Sequence, residues 1–146
     1  MEVTAPLGSY LTPSFEHATV GDAMRPRVLT CDPATPLVTV AQMMAGEHVH
    51  AIVVIGGAGA VERRPWAVVT DRDLLRVAAR IDELTAGEAA TGEILEAGAD
   101  ERLADAARRM AEHGVTHMLV VDDRNGRPVG VLSTLDIAGI LGWGRG

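Results

Sequence analysis

The stretch AVVTDRDL, residues 67–74, decides the fold, and GVLSTLDI, residues 130–137, repeats its pattern near the C-terminus. In each copy an apolar run ends in a hydroxyl residue, and an aspartate follows three residues later. A strand that leads directly into a helix has this pattern, because the hydroxyl caps the helix and the acid lies in its positively polarised first turn. Two such junctions in 146 residues predict two copies of one unit.

The two copies also share the spacing of their apolar residues. One helical face in each copy consists of Leu37, Val40, Ala41 and Met44, and of Leu103, Ala106, Ala107 and Met110. In the first copy we expect Thr35 to cap this helix and Pro36 to open it. The helix after Asp71 is expected to reach about Arg80. The sequence therefore predicts an α+β fold of two tandem β-α-β-β-α units that pack as a pseudo-symmetric pair.

Composition excludes several classes of protein. The chain is 47% hydrophobic and 23% charged, which is typical of a globular protein, and its net charge of −7 disfavours a nucleic-acid partner. Cys31 is the single cysteine, so no internal disulfide is expected. No apolar run approaches the roughly 20 residues of a membrane span, and the N-terminus lacks the pattern of a signal peptide. We expect a cytoplasmic protein with no membrane contact.

The duplicated order of elements and the Thr/Ser-x-x-Asp motif at a strand end resemble tandem cystathionine β-synthase (CBS) domains. DAMRP, residues 22–26, resembles the opening motif of the first copy, and EHGVTH, residues 112–117, resembles the helix-to-strand turn of the second. The resemblance implies a stand-alone CBS pair, since little chain remains for another domain. The expected organisation is an N-terminal arm (1–18), a first CBS domain (19–82), a second CBS domain (83–142) and a C-terminal tail (143–146).

The resemblance also implies a ligand. A cleft between the two copies would hold an adenosine compound, with AMP, ADP, ATP and S-adenosylmethionine as the candidates. Asp73 and Asp136 would accept hydrogen bonds from ribose hydroxyls, and Thr70 and Ser133 would lie near the phosphates. The other residues that the family layout places around such a pocket are Thr30, Cys31, Asp32, Val49, His50, Thr116 and His117. The implied function is a non-catalytic regulatory module that signals to a partner protein not identifiable from the sequence.

Four alternatives stay open or are disfavoured. The Thr/Ser-x-x-Asp residues could serve only as capping boxes in a structural or interaction protein with no small ligand. An enzyme is disfavoured, because no base stands at an identifiable spacing from Cys31. A metal site at His113 and His117 is disfavoured, since Gly114 ends the helix between them, and the glycine-rich residues 56–62 favour a flexible hairpin over a phosphate loop.

The two motifs differ in charge. Arg72 lies inside the first motif, where the second has Leu135, and the family layout places Arg25 and Arg27 near the first motif as well. ATG, residues 90–92, replaces the Met-Arg-Pro of the first copy. A phosphorylated ligand is therefore expected to prefer the Thr70/Asp73 motif.

A homodimer is expected from the apolar helices that follow the two motifs. A monomer would leave their faces in water. The residues concerned are Leu74, Leu75, Val77 and Ala78 in the first copy and Ile137, Ile140 and Leu141 in the second.

Overall fold

The computed structural model describes residues 12–56, 64–90 and 94–144, and the structural statements below concern these. Most of the expected N-terminal arm, most of the glycine-rich hairpin, residues 91–92 of the second opening motif and the last two residues lie outside the described residues. Among the described helices, none has the length and apolar character needed to cross a membrane.

The chain has the predicted α+β fold, with two small sheets of the same topology. In chain order its elements are α1 (Val20–Ala23), β1 (Thr30–Cys31), α2 (Leu37–Glu47), β2 (Ala51–Gly56), β3 (Arg64–Thr70), α3 (Asp71–Arg76), a 3₁₀ turn (Ala78–Arg80), α4 (Ala86–Ala89), β4 (Glu96–Gly98), α5 (Leu103–His113), β5 (His117–Val121), β6 (Pro128–Ser133) and α6 (Thr134–Trp143). The sheet orders are β1-β2-β3 and β4-β5-β6. In each sheet the first pair of strands is parallel and the second pair is antiparallel.

The chain forms two compact units that do not follow the order of the repeat. The continuous unit runs from Val28 to Ile94, and the split unit combines the chain up to Arg27 with the chain from Leu95 onward. The short turn that opens each sequence copy therefore packs in the unit built mainly from the other copy. Each unit is complete only with a segment from both sequence copies.

Backbone hydrogen bonds fix this exchange of opening turns. In the split unit Val20 N donates to Glu101 O and Gly21 N donates to Ala99 O, both at 2.8 Å. In the continuous unit Ala86 N donates to Thr35 O at the same distance, and Gly87 N does so to Pro33 O. These bonds satisfy the free N–H groups at the starts of α1 and α4, which a helix of four residues cannot satisfy by itself.

Each unit has its own hydrophobic core. The core of the continuous unit consists of Leu37, Val40, Met44, Ile52, Val54, Ala67, Val69, Leu84, Ala86 and Ala89. The core of the split unit consists of Ala18, Val20, Ala97, Leu103, Ala106, Met110, Met118, Val120, Leu132 and Ile140. Each includes three of the four residues of its predicted helical face, since Ala41 and Ala107 are only half-buried. Each also includes residues of the buried strands and side chains from an exchanged turn. These cores hold the strand-to-helix junctions in place.

Two predicted helix ends are wrong. Thr35 does not cap α2: its side chain instead accepts a hydrogen bond from Asp32 N at 3.1 Å, and Pro36 is the residue before the helix. The helix after Asp71 ends at Arg76. Val77 N donates to Leu74 O, three residues back, so the α-helix tightens there into a 3₁₀ turn.

Candidate functional site

The first motif forms a complete capping box at the junction of β3 and α3. Thr70 N donates to Asp73 Oδ2 at 2.8 Å, and Asp73 N donates to Thr70 Oγ1 at 3.3 Å. The Thr70 hydroxyl also donates to Asp73 Oδ2 at 3.1 Å. Asp73 is 5% exposed, and it is the one buried charged residue in the described part of the chain. The motif therefore holds a nearly buried carboxylate at a helix N-terminus.

Arg76 is a partner of Asp73 that the sequence analysis missed. Its Nη2 donates to Asp73 Oδ1 at 2.9 Å, across one turn of the same helix. The signal was present in the sequence, since an acid and an arginine three residues apart on a helix face each other. Arg72, which the sequence analysis favoured, lies exposed on α3.

The second motif forms the same box at the junction of β6 and α6. Ser133 N donates to Asp136 Oδ2 at 2.9 Å, and Asp136 N donates to Ser133 Oγ at 3.2 Å. The other carboxylate oxygen, Oδ1, lies 3.4 Å from Nε of Arg25. The two motifs thus share their cap geometry and differ in the arginine that neutralises the acid.

The structure places Arg25 beside the second motif, whereas the family layout implied a place near the first. Arg25 follows α1, which packs in the split unit, so its side chain meets Asp136 rather than Asp73. The second motif therefore has a guanidinium beside it, although its own sequence copy supplies none.

Around the first motif, the continuous unit places His50 beside the helix start. His50 O accepts from Asp71 N at 3.0 Å, and His50 Nδ1 lies 2.8 Å from Asp71 Oδ2. Val49 N donates to Met44 O, which closes the turn from α2 into β2. The neighbouring strand β1 presents Thr30, which pairs with Val53 on β2. His50 is exposed and Val49 is half-buried, and both lie just before Ala51, which pairs with Thr70. Thr30 is also exposed, but it lies on β1, which β2 separates from the strand that ends in Thr70.

Cys31 is a poor nucleophile. Burial raises the pKa of its thiol, the negative charge of Asp32 raises the pKa further, and a hydrogen bond with Thr35 lowers it in part. Together these effects raise the pKa of the Cys31 thiol above its ordinary value. The thiol is therefore protonated at neutral pH, which disfavours nucleophilic chemistry at this position.

In the split unit, Thr116 and His117 lie at the start of β5 beside the second motif. Thr116 O accepts from Thr134 N at 3.0 Å, and His117 pairs with Ser133 across the sheet. The Thr116 hydroxyl lies 2.9 Å from His117 Nδ1. Gly114, at φ +64°, separates His117 from α5 and His113, and no group of three or more metal-ligating side chains occurs among residues 12–56, 64–90 and 94–144.

A shallow cavity of about 780 Å³, largely open to solvent, lies beside Asp136 in the split unit. Arg25 and Asp22 lie in its wall with Asp136, and Leu135, Ile140 and Trp143 give it an apolar side. No pattern in the sequence pointed to Asp22 or Trp143 as lining residues. A nucleoside has the matching mixture of an apolar base and polar sugar hydroxyls.

The two motifs and the fold point to one protein family. The pattern of the CBS domain matches residues 20–80 and 86–142. The chain belongs to the CBS domain family. A CBS domain pair in complex with 5′-methylthioadenosine and S-adenosyl-L-methionine has a similar fold, with a TM-score of 0.73 at 21% identity, over 86% of this chain and 96% of that one. A CBS domain protein from Pyrobaculum aerophilum complexed with AMP has a TM-score of 0.69 at 27% identity, over 82% and 89% of the two chains.

A longer relative carries a similar segment. This chain is 34% identical over 138 residues to a homoserine O-acetyltransferase of Methanohalophilus mahii. The match covers 93% of this chain and 27% of that relative, so the chain spans about a quarter of the curated relative's length.

Proposed function

We propose that this chain is a cytoplasmic, non-catalytic regulatory module that binds an adenosine ligand and signals its presence to a partner protein. The observation that carries the proposal is the same capping box at both strand-to-helix junctions, with an aspartate side chain that is 7% exposed at Asp73 and 9% exposed at Asp136. AMP, ADP, ATP and S-adenosylmethionine are the ligand candidates. The similar CBS structures that contain AMP, or 5′-methylthioadenosine with S-adenosyl-L-methionine, support this class of ligand.

The hydrogen-bonding capacity of the two acids supports ribose binding most strongly at Asp136. An ionised carboxylate offers about four lone-pair positions, and a vicinal diol needs two. Asp136 accepts from Ser133 N and Arg25 Nε among the described residues, which leaves room for both hydroxyls.

Asp73 has less capacity left. It accepts from Thr70 N, from the Thr70 hydroxyl and from Arg76, so a diol at this acid has to displace one of these donors. We therefore propose Asp136 as the stronger ribose acceptor and Asp73 as the weaker one.

Capping alone is the competing role, and substitution by asparagine separates the two roles. Asp136→Asn keeps one oxygen for the Ser133 N–H, so it preserves the cap, but it replaces the second acceptor by an NH₂ donor. We expect it to leave the melting temperature of the unliganded protein within a few degrees of wild type. We expect it to remove the tighter AMP binding event in titration calorimetry, with Asp73→Asn affecting only the weaker event.

Thermal shift gives the companion measurement. A ligand that binds only the folded state at a hundred times its Kd stabilises it by about 2.7 kcal/mol, which raises the melting temperature by several degrees. Asp82→Asn, an exposed acid of the continuous unit, is the matched control and should retain the full shift. If all four candidate ligands leave the wild-type melting temperature unmoved, the structural or interaction role replaces the proposed one.

We further propose a homodimer. Leu75 on α3 is 79% exposed and Leu141 on α6 is 53% exposed, which is costly for side chains of this size in water. We expect light scattering at micromolar concentration to give twice the chain mass of 15.4 kDa. Leu75→Glu should shift the mass toward 15.4 kDa, because it places a charge on the apolar face. A wild-type protein that already scatters as 15.4 kDa contradicts the dimer.

A further inference from the structure

We propose that Arg25 selects anionic adenosine ligands at the Asp136 motif. The inference rests on the proposed function, since it names the residue that discriminates among adenosine compounds at that site. It reverses the expectation that phosphorylated ligands prefer the Thr70/Asp73 motif. Three features of the split unit support it: how the Arg25 backbone is held, how its side chain is paired, and which charges share its cavity.

The backbone of Arg25 is fixed on β6, the strand that ends in Ser133. Arg25 N donates to Val131 O at 2.9 Å, and Val131 N donates to Arg25 O at 3.0 Å. Gly130 lies on β6 where the Arg25 backbone pairs with it, and a Cβ added to Gly130 would lie 2.5 Å from Arg25 O. Glycine therefore permits the close approach. The side chain projects from an anchored position near Asp136.

The Arg25 side chain retains capacity for a second partner. Its Nε contacts Asp136 Oδ1 at 3.4 Å, and this is its one hydrogen bond to the described residues. The Arg25 side chain is 60% exposed, whereas the Asp136 side chain is 9% exposed. A guanidinium has five N–H donors, and its two terminal nitrogens can bind a phosphate in a bidentate way while Nε stays on the carboxylate.

The charges around the cavity make Arg25 the residue that determines whether an anionic ligand can bind there. Asp22 and Asp136 both line the cavity with Arg25, and Leu135 occupies the position that Arg72 holds in the first motif. Arg25 is the cation among the described lining residues. Without it, an anionic ligand would face two carboxylates on a chain of net charge −7, whereas a neutral nucleoside would meet little repulsion.

The first motif uses its neighbouring arginine differently. A terminal nitrogen of the Arg76 guanidinium already donates to Asp73, at 2.9 Å. The Arg76 guanidinium is therefore less able to bind a phosphate than the Arg25 guanidinium. The structure thus assigns the anion-selective role to an arginine of the first sequence copy acting at the motif of the second.

The test is calorimetric titration of AMP and of adenosine into Asp73→Asn protein, in which the Asp136 motif alone is intact. Adding Arg25→Gln should weaken AMP binding by about 10- to 100-fold, the value of one charge-assisted hydrogen bond, and should change adenosine binding by less than about threefold. Arg25→Lys should recover part of the AMP affinity. Arg124→Gln removes a charge from the hairpin of the same unit and should change neither affinity.

Each other outcome overturns the inference in a distinct way. Equal losses of AMP and adenosine affinity on Arg25→Gln would make Arg25 a general structural support, and unchanged AMP affinity would remove it from the site; both outcomes leave the proposed function standing. If neither ligand binds the Asp73→Asn protein although both bind wild type, the Asp136 motif is not the site and the inference fails. If neither binds wild type, the proposed function fails with it.

Discussion

A fragment of residues 28–94 is expected to fold and unfold cooperatively, whereas a fragment of residues 19–82 is expected to stay unfolded. The first fragment matches the continuous unit, and the second matches the first copy as the sequence repeat delimits it. The second fragment lacks Leu84, Ala86 and Ala89, which are buried in the core of the continuous unit. It keeps Val20, whose core lies in the split unit.

Fragment 19–82 is expected to stay unfolded because the folding free energy that it loses is comparable with the whole stability of the unit. Burying a leucine contributes about 1.5–3 kcal/mol, and the fragment 19–82 also loses the backbone hydrogen bonds that Leu37 N, Ala86 N and Gly87 N donate. A unit of this size has only about 3–5 kcal/mol of stability to lose. Circular dichroism melts and amide proton spectra of the two fragments measure the difference. Equal folding of both fragments would contradict the exchange of opening turns.

Gly130→Ala is expected to destabilise the protein by about 1–3 kcal/mol, because the new methyl group enters a filled space. Its Cβ would lie 2.5 Å from Arg25 O and 2.7 Å from Met24 Sδ. The sulfur can move, but the carbonyl belongs to a backbone held on both sides by Val131. The opening turn has to lift from β6, which also displaces Arg25 from Asp136.

Gly46→Ala is the matched control. Gly46 lies near the end of α2, and no atom outside its own helix backbone and chain neighbours stands within 4 Å of the place where the new methyl group would lie. The same chemical change should stabilise the protein there by about 0.5–1 kcal/mol, since alanine is the better helix former. Urea denaturation should therefore give opposite signs for the two variants. A Gly130→Ala protein as stable as wild type would show that the turn does not pack closely on β6.

Local features of the site were predictable from the sequence. The boxes at Thr70 and Ser133 depend on residues three positions apart, so the pattern of hydroxyl and acid is enough to predict them. The break at Gly114 was predictable for the same reason, since a single residue supplies the left-handed conformation. The duplicated β-α-β-β-α order followed from repeated apolar spacing, which records which side chains are buried in each copy.

The helix ends were predicted less well because tertiary contacts compete with local preference. Thr35 has the side chain of an N-cap, yet it closes the turn at Asp32, and its carbonyl receives Ala86 N from the exchanged turn. A pattern of a few neighbouring residues cannot predict the hydrogen bond from Ala86 N to the Thr35 carbonyl.

The sequence by itself determined the fold class, the two copies and the two capped aspartates, since each depends on short-range chemistry that recurs along the chain. Only the tertiary structure decided which arginine serves which acid. Arg25 and Asp136 are 111 residues apart, and they meet because the opening turn of the first copy finds its hydrogen-bond partners and its core in the split unit. That choice depends on burial and backbone pairing between distant segments, which sequence order does not reveal.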